Sequence, residues 1–312
     1  MIVSILKHFF IIFYILKLNI DKKFKRNYSQ TYYLRMFQED ISKNKMPIKE
    51  RLKNFPNFKV TISGSQKELA KKILVILSGN NYRNSDTNLI SDVINNLARS
   101  VYYFRRIYII KSSKDNEHEI FFKIQSYNII KIFKLYFQFI PEKKGINMNI
   151  NFKILKEKDV FFFSIFKNPF SWVKYNITKK ILNLSDEDEI TPKFFKEDGF
   201  QSKDFDMNTY TALKIRIVSL ITKSYAWNLR SVADEHSNEY FKIYFAYKSA
   251  IQHADDREML LSQVNKMLSH FKIDASIEIV GIPSSKNLKK SLVNFEAGKI
   301  NFSQALNEIY LL

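Results

Sequence analysis

Tyr102, Tyr103, Phe104, Arg105, Arg106, Tyr108 and Lys111 set cations among aromatic rings in one short run. Flat cations interleaved with π faces are the residue types that neutralise phosphates and stack on bases. Arg105 and Arg106 are the one adjacent arginine pair in a chain where only 10 of the 50 cationic side chains are arginine. Guanidinium, unlike ammonium, meets a phosphate in a planar two-point fork. The same run also fits a sheet with an aromatic core face and a basic solvent face. Read as a strand, Val101 to Ile110 sends neighbours to opposite sides, so only one arginine of the pair reaches a given face unless a bulge or a strand end intervenes. Lys286, Lys289 and Lys290 make a second basic patch, Lys22, Lys23, Lys25 and Arg26 a third, and Arg83 and Arg99 stand singly as further candidates for phosphate contact.

Catalytic constellations are not legible. The glycines Gly64, Gly79, Gly145, Gly199, Gly281 and Gly298 are scattered, so no phosphate-cradling loop is spelled out. His8, His118, His236, His253 and His270 include no pair at the i, i+4 spacing that points two ligands from one helical face. The chain has no cysteine, which removes disulfides, thiolate metal sites and thiol nucleophiles. There is no nucleophile elbow for hydrolase chemistry. Two acidic clusters with imidazole remain, Asp234, Glu235, His236, Glu239 and His253, Asp255, Asp256, Glu258, and both read as solvated helix faces. The expectation is a binding protein with no cofactor and no metal.

Charge points the same way. The formal net charge is +19, from 50 Lys and Arg against 31 Asp and Glu, and such an excess repels itself unless a polyanion offsets it. Abundant Lys, Asn, Ile, Phe and Tyr beside six Gly and six Pro is the residue usage of A+T-rich coding. That drift also favours Asp and Glu codons, so it does not by itself explain the imbalance. Residues Met1 to Ile20 are apolar, but Lys7, His8 and Lys17 interrupt them, and a spanning helix needs about 20 mostly apolar residues. Three readings stay open for this segment: a membrane anchor with Lys22 to Arg26 on anionic lipid, a hydrophobic arm among partner proteins and RNA, or a leader before Met36.

The elements that would position these groups read as α+β. A helix from Met36 to about Asn54, broken by Pro47, precedes a strand over Phe58 to Ser63, whose Phe58, Val60 and Ile62 alternate with polar residues. Lys67 onward is ambiguous, and Ile73 to Leu77 reads as a buried strand ending at Ser78 and Gly79. Asp86 to Ser100 has Leu89, Ile90, Val93, Ile94 and Leu97 at helical spacing, with Ser85 or Asp86 as cap. Glu119 to Tyr175 reads as mostly strand, divided at Pro141, Gly145 and Pro169. Ser185 to Asp206 is acidic and reads as a linker. Tyr210 to Leu229 and Glu239 to Phe271 read as long helices, followed by a strand over Ala275 to Val280. The division expected is an arm (1–35), an α+β RNA-binding unit (36–112), a β-rich region (113–184), the linker (185–206) and an α-rich C-terminal region (207–312). Removal of Met1 to Arg35 would, on this division, leave the core intact.

Two ends of the chain resemble the small-subunit ribosomal protein three family. Tyr33 to Ile41 followed by Ile48 to Asn54 is similar to that family's acidic pair and "R-L-K-N" helix. Ile76 to Gly79, then Leu89, Ile90, Val93 and Leu97, resembles its KH-like strand, glycine loop and helix. Ile277 to Gly281 with Phe295, Gly298, Lys299, Ile300 and Leu306 resembles its last strand and "G-K-x-P" segment. Tyr82 stands where the family loop carries a second glycine, and Asn301 and Phe302 stand where it carries a proline. The resemblance implies a divergent mitochondrial version with a structural role in the small subunit. Its partners would be ribosomal RNA, mRNA where it enters the subunit, and neighbouring ribosomal proteins. Its place would be the matrix ribosome, with membrane contact through residues 1–26 as the alternative.

Overall fold

The structure, a computed structural model, describes residues 32–42, 45–46, 57–79, 85–114, 118–125, 129–132, 134–144, 147–166, 168–186, 207–227 and 239–310. Among them the chain is α+β. The helices are α1 (Tyr32–Ser42), α2 (Lys67–Leu77), α3 (Asp86–Phe104), α4 (Pro169–Asp186), α5 (Met207–Thr222), α6 (Glu239–His270), α7 (Ser285–Glu296) and α8 (Phe302–Tyr310). The strands are β1 (Lys59–Ser63), β2 (Ile107–Lys114), β3 (His118–Gln125), β4 (Ile129–Ile132), β5 (Leu135–Lys144), β6 (Asn147–Lys156), β7 (Val160–Phe163) and β8 (Ser276–Val280). They form three antiparallel sheets, ordered β1-β8, β3-β2-β7 and β4-β5-β6.

The 32 residues of α6 run about 48 Å at 1.5 Å per residue, long enough to serve two cores. Its first half sends Ile243, Tyr247, Ala250 and Ala254 against Leu288, Leu292 and Phe295 of α7 and Ala305 of α8. Its second half sends Leu260, Val264, Met267 and Leu268 into the main core, with α1 to α4, β1, β2 and β8. A third cluster, around Tyr108, Ile110, Tyr136, Leu155 and Val160, joins the two three-stranded sheets.

The β1–β8 ladder ties residues far apart in the chain, pairing Lys59 with Val280 and Ser63 with Ser276. It therefore crosses the boundaries that composition suggests between an N-terminal unit and a C-terminal region. Asn265 of α6 clasps the outer strand, donating from Nδ2 to the Ile277 carbonyl (2.9 Å) and accepting the Ile277 N–H (2.8 Å). The ladder ends on two glycines in the left-handed half of backbone space. Gly64 has φ +115°, and a Cβ there would lie 2.3 Å from the Asp274 carbonyl; Gly281 has φ +81°, and a Cβ would lie 2.1 Å from the Asn57 carbonyl. Gly281→Ala is expected to cost about 2–3 kcal/mol, because it adds positive-φ strain to a clash with backbone. Urea denaturation checks this; a midpoint unchanged from the parent would contradict it.

Several sequence expectations are corrected. Ile73 to Leu77 is the last part of α2, not a strand: Ala70, Ile73, Leu74 and Leu77 are buried at helical spacing, a period that the unbroken apolar run conceals. A helix, not a strand, therefore leads to Gly79. Val101 to Phe104 is likewise helical, since Leu97, Ala98, Val101 and Tyr102 continue the buried stripe of α3; the strand begins only at Ile107. Pro169 opens α4 rather than dividing strands, a first-turn position where its missing N–H costs nothing. Asn168 and Ser171 there form a reciprocal cap: Asn168 Oδ1 accepts the Ser171 N–H at 2.8 Å and Ser171 Oγ accepts the Asn168 N–H at 3.3 Å. Pro141 lies within β5, beyond the last residue paired with β4, where an edge tolerates a residue with no N–H. The helix expected from Met36 begins by Tyr32 and ends at Ser42, and Leu34 is buried in the main core. Truncation through Arg35 would thus remove core contacts, and a cut that spares them must fall before Tyr32. Met1 to Ile20, Gly145 and most of the acidic stretch (187–206) lie outside the described residues.

Candidate nucleic-acid interface

The stripe of α3 ends at Tyr102, and the chain turns out of the helix at Arg105, whose φ of 66° and ψ of −44° are unusual for a residue with a side chain. The Arg105 N–H still donates to the Val101 carbonyl (2.8 Å) and the Arg106 N–H to the Phe104 carbonyl (2.7 Å). Both arginines therefore precede β2, and strand alternation does not separate them. The Arg105 guanidinium carbon lies 5.6 Å from the ring centre of Trp172 on α4, and that of Arg106 lies 5.0 Å from the ring centre of Phe162 on β7.

Each guanidinium thus has an aromatic platform, which leaves its N–H edge for an anion. Both are partly exposed, and among the described residues no carboxylate forms an ion pair with either. Burial and the neighbouring Arg106 charge both push the Arg105 guanidinium below its ordinary pKa. A bound phosphate would offset that repulsion, and the α3 C-terminus already favours cations through its dipole.

The platforms rest on a continuous aromatic cluster. Phe166 meets Trp172 at 5.0 Å, Trp172 meets Tyr175 at 5.7 Å, and Tyr175 meets Tyr102 at 5.7 Å. Tyr102 is held from below, where its hydroxyl donates to Asp256 Oδ2 at 2.8 Å. Asp256 also takes Lys45 Nζ at 2.7 Å and the Gln252 amide at 2.9 Å, and the Lys45 and Asp256 side chains are 0% and 2% exposed. Beside them Arg257 donates to the Pro283 carbonyl at 2.7 Å. This buried polar knot sits where α6 passes from one core to the other.

Within this acidic cluster Asp256 is therefore a buried structural tie rather than part of a solvated face, while Asp255 and Glu258 make their ties at the solvent-exposed surface. Asp255 pairs with Lys289 at 3.0 Å, Asp256 with Lys45, and Glu258 accepts from the Ser285 N–H (2.7 Å) and Oγ (2.9 Å) at the start of α7. A signal was present in the sequence: Arg257 falls on the buried stripe Ala250, Ala254, Leu260 and Val264, where a solvated charge does not belong.

The remaining candidates are dispersed. Arg99 is exposed on α3, six residues and about 9 Å along the helix from Arg105. Lys111 shares the face of β2 that carries Ile107 and Ile109, opposite the face on which Tyr108 meets Phe162. Lys286 and Lys290 are exposed one turn apart on α7, and Lys289 between them is paired with Asp255, so this patch is separate from the arginine corner. Lys22, Lys23, Lys25, Arg26 and Arg83 lie outside the described residues. Trp172 and Phe162, which carry the arginines, were not legible as partners because each is distant in sequence.

The buried titratable groups are expected to place a stability maximum in the alkaline range. Burial lowers Lys45 and brings Lys179 down to about 8, so in the folded state Lys179 releases its proton before the unfolded chain does. Between about pH 8 and 10.5 the unfolded state binds more protons, and stability rises with pH. Burial raises Tyr102, Tyr175 and Tyr247, and Tyr225 to about 12, so above pH 10 the folded state holds protons the unfolded state has lost, and stability falls. Thermal melts should show the midpoint climbing from pH 8 to about 10, by the equivalent of on the order of 1 kcal/mol, and then dropping. Lys179→Met should flatten the climb; a profile falling from pH 8 onward would contradict the assignment.

Among the described residues there is no group of His, Asp and Glu arranged to hold a metal, and no helix long and apolar enough to cross a membrane. Comparison with family models, with curated proteins and with solved structures gave no match.

Proposed function

We propose that the chain is an RNA-binding structural component of an organellar, mitochondrial ribosome's small subunit, acting by binding rather than catalysis. The observation that carries this reading is the pair Arg105 and Arg106, each stacked on a ring and neither paired with a described carboxylate. The net charge of +19 supports it as a long-range term, and the blocks at Tyr33 to Asn54 and Ile277 to Leu306 that resemble the small-subunit ribosomal protein three family supply the ribosomal setting, whereas the block at Gly79 lacks the family's strand. Phosphates would meet the guanidinium edges, and unstacked bases would find the adjacent rings.

Sedimentation of a mitochondrial extract tests the assignment. The protein should travel with small-subunit particles at low salt and leave them at high salt, because a phosphate-driven complex loses affinity as counterions compete. Recovery only in a carbonate-resistant membrane pellet would overturn it in favour of a membrane tether through residues 1–26.

A further inference from the structure

Helices α4 and α5 turn apolar side chains outward as well as inward. Tyr175 and Leu182 of α4 and Val218 of α5 are buried in the main core. Phe170, Val173 and Ile177, at positions i, i+3 and i+7 of α4, are 82%, 50% and 53% exposed, and Leu220 of α5 is 63% exposed. These residues line a cleft of about 680 Å³ between the two helices, with Lys174 and Lys223 also in its lining. A helix apolar on both faces is one buried on both faces in its working state, and contiguous apolar patches beyond a few hundred Å² mark interaction sites.

We propose that this cleft seats an amphipathic helix of a neighbouring protein, apolar on the side that enters and acidic on its flanks. The charge around the cleft selects that partner. Lys174 and Lys223 lie in the cleft's lining, Lys180 and Arg216 are exposed on the same two helices, and no carboxylate is among the described lining residues. The lining runs from Phe170 to Ile181, about 17 Å or three helical turns, a trough into which the ridge of a third helix packs. A flat bilayer surface does not fill a concave trough, and an RNA backbone would leave the aliphatic side chains wet. The chain's own N-terminal segment has the apolar residues but carries Lys7, Lys17, Lys22 and Lys23, the same sign as the rim.

The test uses the full chain and a fluorescent synthetic helix of leucine and glutamate, with leucines at i, i+3, i+4 and i+7, beside its leucine–lysine counterpart. The glutamate peptide should bind about tenfold more tightly at low salt. Ile177→Asp should abolish that binding without lowering the melting temperature, since Ile177 is outside the core. Lys174→Glu with Lys223→Glu should reverse the preference. Equal binding of both peptides, or glutamate-peptide binding indifferent to Ile177→Asp, would overturn the proposal. So would Ile177-dependent sedimentation with phosphatidylserine vesicles and no peptide binding, which would assign the face to membrane. Arg105→Ala with Arg106→Ala should leave peptide binding intact, so failure here and failure of the RNA reading are distinguishable.

Discussion

Asp256→Ala is expected to lower the unfolding free energy by about 3–5 kcal/mol, the loss typical when one partner of a buried ion pair is removed and the other is stranded. Lys45 Nζ has Asp256 at 2.7 Å as its ion-pair partner and no exposed surface through which water could substitute. The same change leaves the Tyr102 hydroxyl and the Gln252 amide without their acceptor. Lys45→Met should cost less, because Asp256 keeps both of those donors. The double variant Lys45→Met, Asp256→Ala should cost clearly less than the sum of the two single changes, since no charge is then stranded, yet stay below the parent, because the Tyr102 hydroxyl and the Gln252 amide still lack their acceptor. Urea unfolding of the four proteins gives the coupling directly. A cost for Asp256→Ala below about 1 kcal/mol would mean that water reaches the site. Tyr102 links the knot through Tyr175 to Trp172, the aromatic platform of Arg105.

Helices and their faces were legible where one period ran without competition. Asp86 to Ser100 is helical and Glu239 to Phe271 is helical up to His270, as their spacing predicts, and strands appear at Lys59–Ser63 and Ser276–Val280 within the segments read as strands. Misreadings came where composition and period disagreed. Ile73 to Leu77 and Val101 to Phe104 are rich in branched and aromatic residues, yet their burial follows the helical stripe, because packing outweighs intrinsic β preference. The arginine pair was legible as a candidate from its residue types alone. Its geometry was not, since the positive φ at Arg105 and the Trp172 and Phe162 platforms depend on contacts from α4 and β7. The role of Asp256 was hidden for the same reason: Lys45 and Tyr102 approach it from distant parts of the chain.

Loss of both arginines should produce the largest functional effect, with Arg105→Ala and Arg106→Ala each weakening RNA binding about tenfold, and the double variant weakening it further. Strand alternation would have predicted unequal effects, but both residues leave the turn onto their own rings ahead of β2. Arg105→Gly separates function from stability. Glycine accepts the positive φ that costs arginine energy, so this variant should fold as well as the parent, or better by about 1 kcal/mol, while losing RNA affinity. That outcome would identify the strained backbone as a feature retained for binding.

The most direct measurement of the central claim is the affinity for a labelled single-stranded oligouridine across a salt series, for the parent and for Arg105→Ala with Arg106→Ala. Each phosphate contact on a single strand contributes about 0.7 to the slope of log affinity against log salt, so the double variant should lose about 1.4 from that slope with an unchanged melting temperature. Equal slopes and equal affinities in the two proteins would contradict the account and leave the arginine corner as a structural feature only.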